Sequence, residues 1–174
     1  MTVNIKTGFE KLDQIMNCCI TREMATDGLL EDVETFVNTY YEEGQVDEPV
    51  IWMTQHPTTA NRQADISQTM ELVTPFEFDC GVYDVEIEDA NRLSQNLANR
   101  VILAILKNWQ TVQAEVLPGK RMIKNITFQR YYPLGTIEVN GKSERLPVTG
   151  IVLEVHHIVN WQMCCRNLTN NQGD

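Results

Sequence analysis

From Ile87 onward, apolar side chains return at Ala90, Leu93, Leu97, Val101, Ala104 and Ile105, with Ala98, Ile102 and Trp109 beside them. That spacing predicts one long amphipathic helix ending near Trp109. Its other side collects Glu88, Asp89, Arg92, Gln95, Asn96, Asn99 and Arg100. Acidic residues crowd the start, where the helix dipole is positive, and Lys107 lies toward the negative end. Burying the roughly ten apolar side chains of this arc is worth on the order of 15 to 25 kcal/mol before ordering entropy is subtracted. Caps and dipole terms are worth about 1 kcal/mol each. Tertiary packing therefore holds the helix, and an apolar sheet must lie against it.

The flanking patterns supply that sheet. Pro49 to His56 reads as a strand around Val50, Ile51, Trp52 and Met53, and Thr69 to Tyr83 as a second, with Phe76, Phe78 and Cys80 alternating against Glu77 and Asp79. Pro75 inside that run predicts an edge or a bulge. Met122 to Tyr132 reads as a strand closed by Pro133, and Leu134 to Leu146 as a hairpin turning on Asn140-Gly141. Pro147 to Trp161 is the longest strand; it places His157 with Ile151, Leu153 and Val155 on one face, and His156 with Val152 and Glu154 on the other. Ahead of these lie two helical stripes at the N-terminus, Phe9 to about Arg22 and Leu29 to Glu43. Residues 1–8 read as an arm, 56–68 as an exposed flap and 166–174 as a disordered tail. The whole predicts a single α+β domain over 1–174, with a mostly antiparallel sheet packed against the long helix. Such a sheet leaves one face for something else to cover; a neighbouring copy would make the protein an oligomer.

Composition narrows the function. The 174 residues carry 14 Lys and Arg against 24 Asp and Glu, a net charge of -10, which disfavours wrapping nucleic acid through phosphate contacts. The first residues lack a secretory signal pattern, and no apolar run is long enough to span a bilayer. Five cysteines, two adjacent pairs and Cys80, show neither disulfide nor zinc spacing and read as reduced thiols. His156 and His157 point to opposite faces and cannot easily share a metal, and no phosphate loop, GxSxG or HExxH occurs. No catalytic residue, cofactor or metal is assigned. The carboxylates read as a solvated surface; some could instead line a passage whose like charge repels DNA.

The extended segment ELVTPFEFDCGVYD running into EDANRLSQNLANRVILAILKNW, then ITFQRYYP, a polar hairpin and GIVLEVHHIVNW, resembles the tail terminator, or tail completion, proteins of long-tailed bacteriophages, over about Val50 to Trp161. The resemblance implies a structural virion protein made in the host cytoplasm. It would form a homo-oligomeric, hexameric ring that caps the tail tube and joins it to the head-tail connector proteins, DNA passing through the lumen without sequence-specific binding. It brings no catalytic residues or cofactors. Contacts in such a ring are expected from the flap at Thr58, Thr59, Asn61 and Arg62, and from the hairpin at Glu138, Asn140, Lys142, Glu144 and Arg145. Head-completion and tail-tube proteins are near neighbours of this reading; a small cytosolic enzyme using Cys80, His156 or His157, and a non-viral adaptor domain, are the alternatives of other classes.

Overall fold

Leu12, Ile15, Met16, Cys19 and Ile20 share one side of helix α1 (Gly8–Glu23), and none has exposed surface. A computed structural model describes residues 8–38, 49–60, 69–82, 86–138 and 145–160. After α1 come β1 (Thr35–Val37), β2 (Val50–Gln55), β3 (Thr59–Ala60), β4 (Thr69–Gly81), α2 (Ile87–Val116), β5 (Ile123–Glu138) and β6 (Arg145–Asn160). The fold is α+β: among the described residues, two helices and a mixed sheet with strand order β1-β2-β4-β6-β5, the two-residue β3 joining β4 beyond the end of β2. β1 runs parallel to β2; the other pairings are antiparallel.

Both helices lie on one face. Ile51 and Met53 of β2, Phe76, Phe78 and Cys80 of β4, and Ile151, Leu153 and Val155 of β6 form one buried cluster with Leu97, Val101, Ala104 and Ile105 of α2 and the apolar side of α1. Register explains the match: Phe76 faces Leu153, and Phe78 faces Ile151, across the β4–β6 ladder, so side chains of one parity meet the helices. α2 continues through Val112 to Val116, past the end predicted near Trp109, because Val112 extends the buried stripe. Gln113 then bridges to the sheet, its side-chain oxygen accepting from the backbone N–H groups of Met122 (3.0 Å) and Ile123 (2.5 Å). Lys107 consequently stands inside the helix and pairs with Glu23 instead of compensating a terminus.

The helix expected over Leu29–Glu43 does not form in its described part. Residues 24–32 make turns, and Thr35, Phe36 and Val37 pair with Val50, Ile51 and Trp52. Leu30 and Val33 are buried, as a helical stripe would bury them, but from a turn whose Val33 N–H bonds Leu30 O. Edge pairing of a β-branched segment outcompetes the helix; residues 39–43 lie outside the described residues, as do 1–7 and 166–174. Gly8, read as the last residue of the arm, already opens α1. Pro133 does not end its strand either: β5 runs on to Glu138, with register shifts at Ile123/Asn125, Phe128/Arg130 and Pro133/Gly135. A proline without an N–H is tolerated there because β5 is the rim of the strand order. Pro75 sits inside the sheet, opposite the interruption between β2 and β3, where its carbonyl accepts from His56 N–H at 2.9 Å.

The face turned away from the helices is not a bare apolar surface. Val50, Trp52, Leu146 and Val148 form a second small cluster there, already buried, with Val37 against it. Toward the other end the same face is polar, bearing Glu77, Glu154 and His156. Part of this face is therefore already buried within the chain.

Candidate functional site

β4 and β6 set the distance between the two predicted contact segments. Thr58 and Thr59 lie beside Thr74 and Val73 of β4, level with His157 on β6. Glu138 and Arg145 are the last described pair of the β5–β6 ladder, beyond Gly81 at the other end of β4. Twelve residues of β6 separate His157 from Arg145, roughly 40 Å at about 3.3 Å each. The described start of the flap and the described base of the hairpin thus sit at opposite ends of the sheet. Asn61, Arg62, Asn140, Lys142 and Glu144 lie outside the described residues.

The start of the flap is better anchored than its polar sequence indicates. Thr59 and Ala60 pair with Val73 and Leu72 as β3, and His56 Nε2 meets the Glu77 carboxylate. The Thr58 hydroxyl lies 2.7 Å from that of Thr74, which lies 2.9 Å from His157 Nε2. A hydrogen-bonded relay therefore runs from the flap to a histidine with no exposed surface, whose ring meets Phe9 edge to face at 6.2 Å. Among the described residues His157 Nδ1 has no partner. Burial, with His156 adding to it, pulls the His157 pKa down from 6.5 to about 4. The unfolded chain thus binds a proton that the folded one refuses. Unfolding free energy is expected to fall by about 2 to 3 kcal/mol as pH drops from 6.5 to 4. Urea unfolding at stepped pH checks this, and His157→Gln should flatten that span.

Cys80, the candidate nucleophile, is a core side chain, as is Cys19. Cys80 is fully buried and its thiol is pushed up by that burial, while Cys19 is pushed up to about 12. A protonated, enclosed thiol is neither a nucleophile nor a ligand. His156 does point away from His157, its Nε2 3.2 Å from the Thr127 hydroxyl. No group of three or more His, Cys, Asp or Glu able to hold a metal exists among the described residues.

Sequence reasoning missed the most constrained polar group. Glu23, 3% exposed, closes α1 and accepts hydrogen bonds from Leu29 N–H (3.0 Å), Asn108 Nδ2 (2.6 Å) and Lys107 Nζ (2.9 Å). Desolvation would raise its pKa, but those donors and the Lys107 charge together hold it down at about 2. Beside it the Arg100 guanidinium grips both oxygens of Asp32 (2.5 and 3.0 Å) and donates to Leu29 O, which lowers the Asp32 pKa. Nothing in a glutamate at a helix end signals burial; its partners lie 84 and 85 residues away.

Charge differs between the two rims of the sheet. The residues leading into β1 include Glu31, Asp32 and Glu34, all exposed; β5 and the loop before it carry exposed Lys120, Arg121, Lys124 and Arg130. Lys124 reaches Glu71 at 2.8 Å. Surface depressions lined by Phe9, Asp13 and Gln55, or by Asp32, Asn96 and Arg100, are open and gather no convergent set of reactive groups. Comparison of the chain with protein-family models and with curated proteins finds no match.

Proposed function

We propose that this chain is a structural ring subunit of the tail terminator kind: a virion protein, made in the host cytoplasm, that assembles into a homo-oligomeric, hexameric ring. The ring caps the tail tube, joins it to the head-tail connector and lets DNA pass through its lumen. The observation that supports the reading is that the described start of the flap and the described base of the hairpin stand at opposite ends of a sheet whose helices, among the described residues, lie on one face. Such a subunit offers one end to each of two axial partners and two edges to its neighbours. In this reading the sheet rests on the one long amphipathic helix, and the net charge of -10 discourages adhesion of phosphates to the lumen. Of the residues the enzyme alternative would use, Cys80 and His157 are enclosed, while His156 stays partly exposed on the other face.

Negative-stain imaging and light scattering of the purified protein test this. The expected result is rings of uniform diameter that halt polymerisation of the cognate tube protein. Open tubes built from this chain alone would move it to the tail-tube class, and a species that stays monomeric at high concentration and leaves tube growth unchecked would overturn the ring.

A further inference from the structure

Among the described residues no strand lies beyond β1 or beyond β5, so the sheet has two open rims, and they are unlike. On the β5 rim Arg130 is held over the Tyr132 ring, its guanidinium carbon 5.4 Å from the centroid, a cation–π contact that keeps the charge in place. On the helix side of the same rim Phe128 and Tyr131 meet edge to face at 5.5 Å and are 47% and 40% exposed. Tyr131 reaches the Asn99 side chain on α2 at 2.5 Å, one turn from Leu103, which with Leu106 is about half exposed. The rim therefore combines cations with a stripe of four large apolar side chains. The opposite rim is entered through exposed Glu31 and Glu34, with Asp32 already held by Arg100, so Glu31 and Glu34 carry its acidity.

We propose that copies of this chain associate head to tail, the basic and apolar β5 rim of one docking on the acidic β1 rim of the next. The occupant is a second copy because the complementary charge is present on the same molecule, at the other end of its strand order. A two-fold arrangement would set cations on cations at β5 and carboxylates on carboxylates at β1, whereas unlike surfaces joined head to tail generate rings when the rotation closes. β1 spans only three residues, which limits any ladder between copies to that length and leaves the contact to side chains. The proposal rests on the ring reading only for closure; the pairing of surfaces stands on the charges.

Two charge-reversed versions of the full chain test it: Arg121→Glu with Arg130→Glu, and Glu31→Lys with Glu34→Lys, each first checked for wild-type circular dichroism. By light scattering, each alone is expected to lose assembly by about tenfold or more in concentration, and an equimolar mixture to regain it, because the reversed rims are again complementary. Wild-type assembly should weaken between about 0.05 M and about 1 M salt, and Leu103→Ser with Leu106→Ser should weaken it at any salt. A wild-type ring that both charge variants form unchanged would overturn this pairing while leaving the ring intact. A wild-type monomer at every concentration would overturn both. A monomer that instead binds a 20-base-pair DNA duplex, and loses it with Arg121→Glu and Arg130→Glu, would reassign the β5 rim to a polyanion.

Discussion

Replacing Glu23 with Ala is expected to lower the unfolding free energy by about 2 to 5 kcal/mol, measured by urea denaturation at pH 7. The carboxylate is the common acceptor for Leu29 N–H, Asn108 Nδ2 and Lys107 Nζ. Removing it leaves a donor on Asn108, itself 7% exposed, and a backbone N–H without their partner, and an unmade buried hydrogen bond costs about 1 to 3 kcal/mol. Lys107 contributes less, since its side chain is 59% exposed and solvent takes over its charge. Glu23→Gln should recover part of the loss by keeping one oxygen acceptor. The same group fixes a pH window. Because its folded pKa is held at about 2 against an ordinary 4.5, its contribution is complete above pH 4.5 and is lost as pH falls toward 2. In Glu23→Ala that acid-limb slope should disappear while the slope between pH 6.5 and 4 from His157 remains.

Gly28→Ala is expected to cost about 3 kcal/mol, and in a way that reports on the same turn. A Cβ at Gly28 would stand 2.1 Å from the Glu23 carbonyl oxygen, 2.6 Å from its carbon and 2.8 Å from Ala25 O. All three are backbone atoms, so no rotamer change relieves the contact and the turn itself must open. Opening it pulls on the hydrogen bonds Gly28 N–H to Ala25 O and Leu30 N–H to Glu23 O, and draws the Glu23 carboxylate off α2. The double variant with Glu23→Ala should therefore lose less than the sum of the two single losses, since the second change disturbs what the first has already released. Strict additivity would mean the turn and the carboxylate act independently.

Much of the framework can be read from periodicity. Ala90, Leu97, Val101, Ala104 and Ile105 are marked by their spacing and are fully buried, and the alternation that separates His157 from His156 puts the first in the core and the second on the other face. The failures share a cause: the deciding partner is distant in sequence. Leu30, Val33, Phe36 and Val37 have helical spacing, yet Thr35–Val37 is claimed as a strand by Val50–Trp52, a parallel pairing with no local signature. Glu23 looks solvated until Lys107 and Asn108 arrive from α2. Of the predicted contacts, Thr58 belongs to a flap whose polar sequence predicts exposure, but its hydroxyl is tied to Thr74, and no pattern in the flap announces that bond. The charge contrast between Glu31-Asp32-x-Glu34 and the β5 cations was present in the chain, but it has meaning only once the strand order sets the two groups at opposite rims.

The three register shifts along β5 carry a consequence for how this protein fails. Each breaks the regular pairing, and a bulge kinks a strand and deepens its twist, so β5, a rim of the strand order among the described residues, does not present a straight row of amides to a stranger. Fibril growth by stacking of such rows needs a flat template, and this one is broken at intervals too short to seed it. Heat-damaged material should accordingly clump without order instead of growing threads.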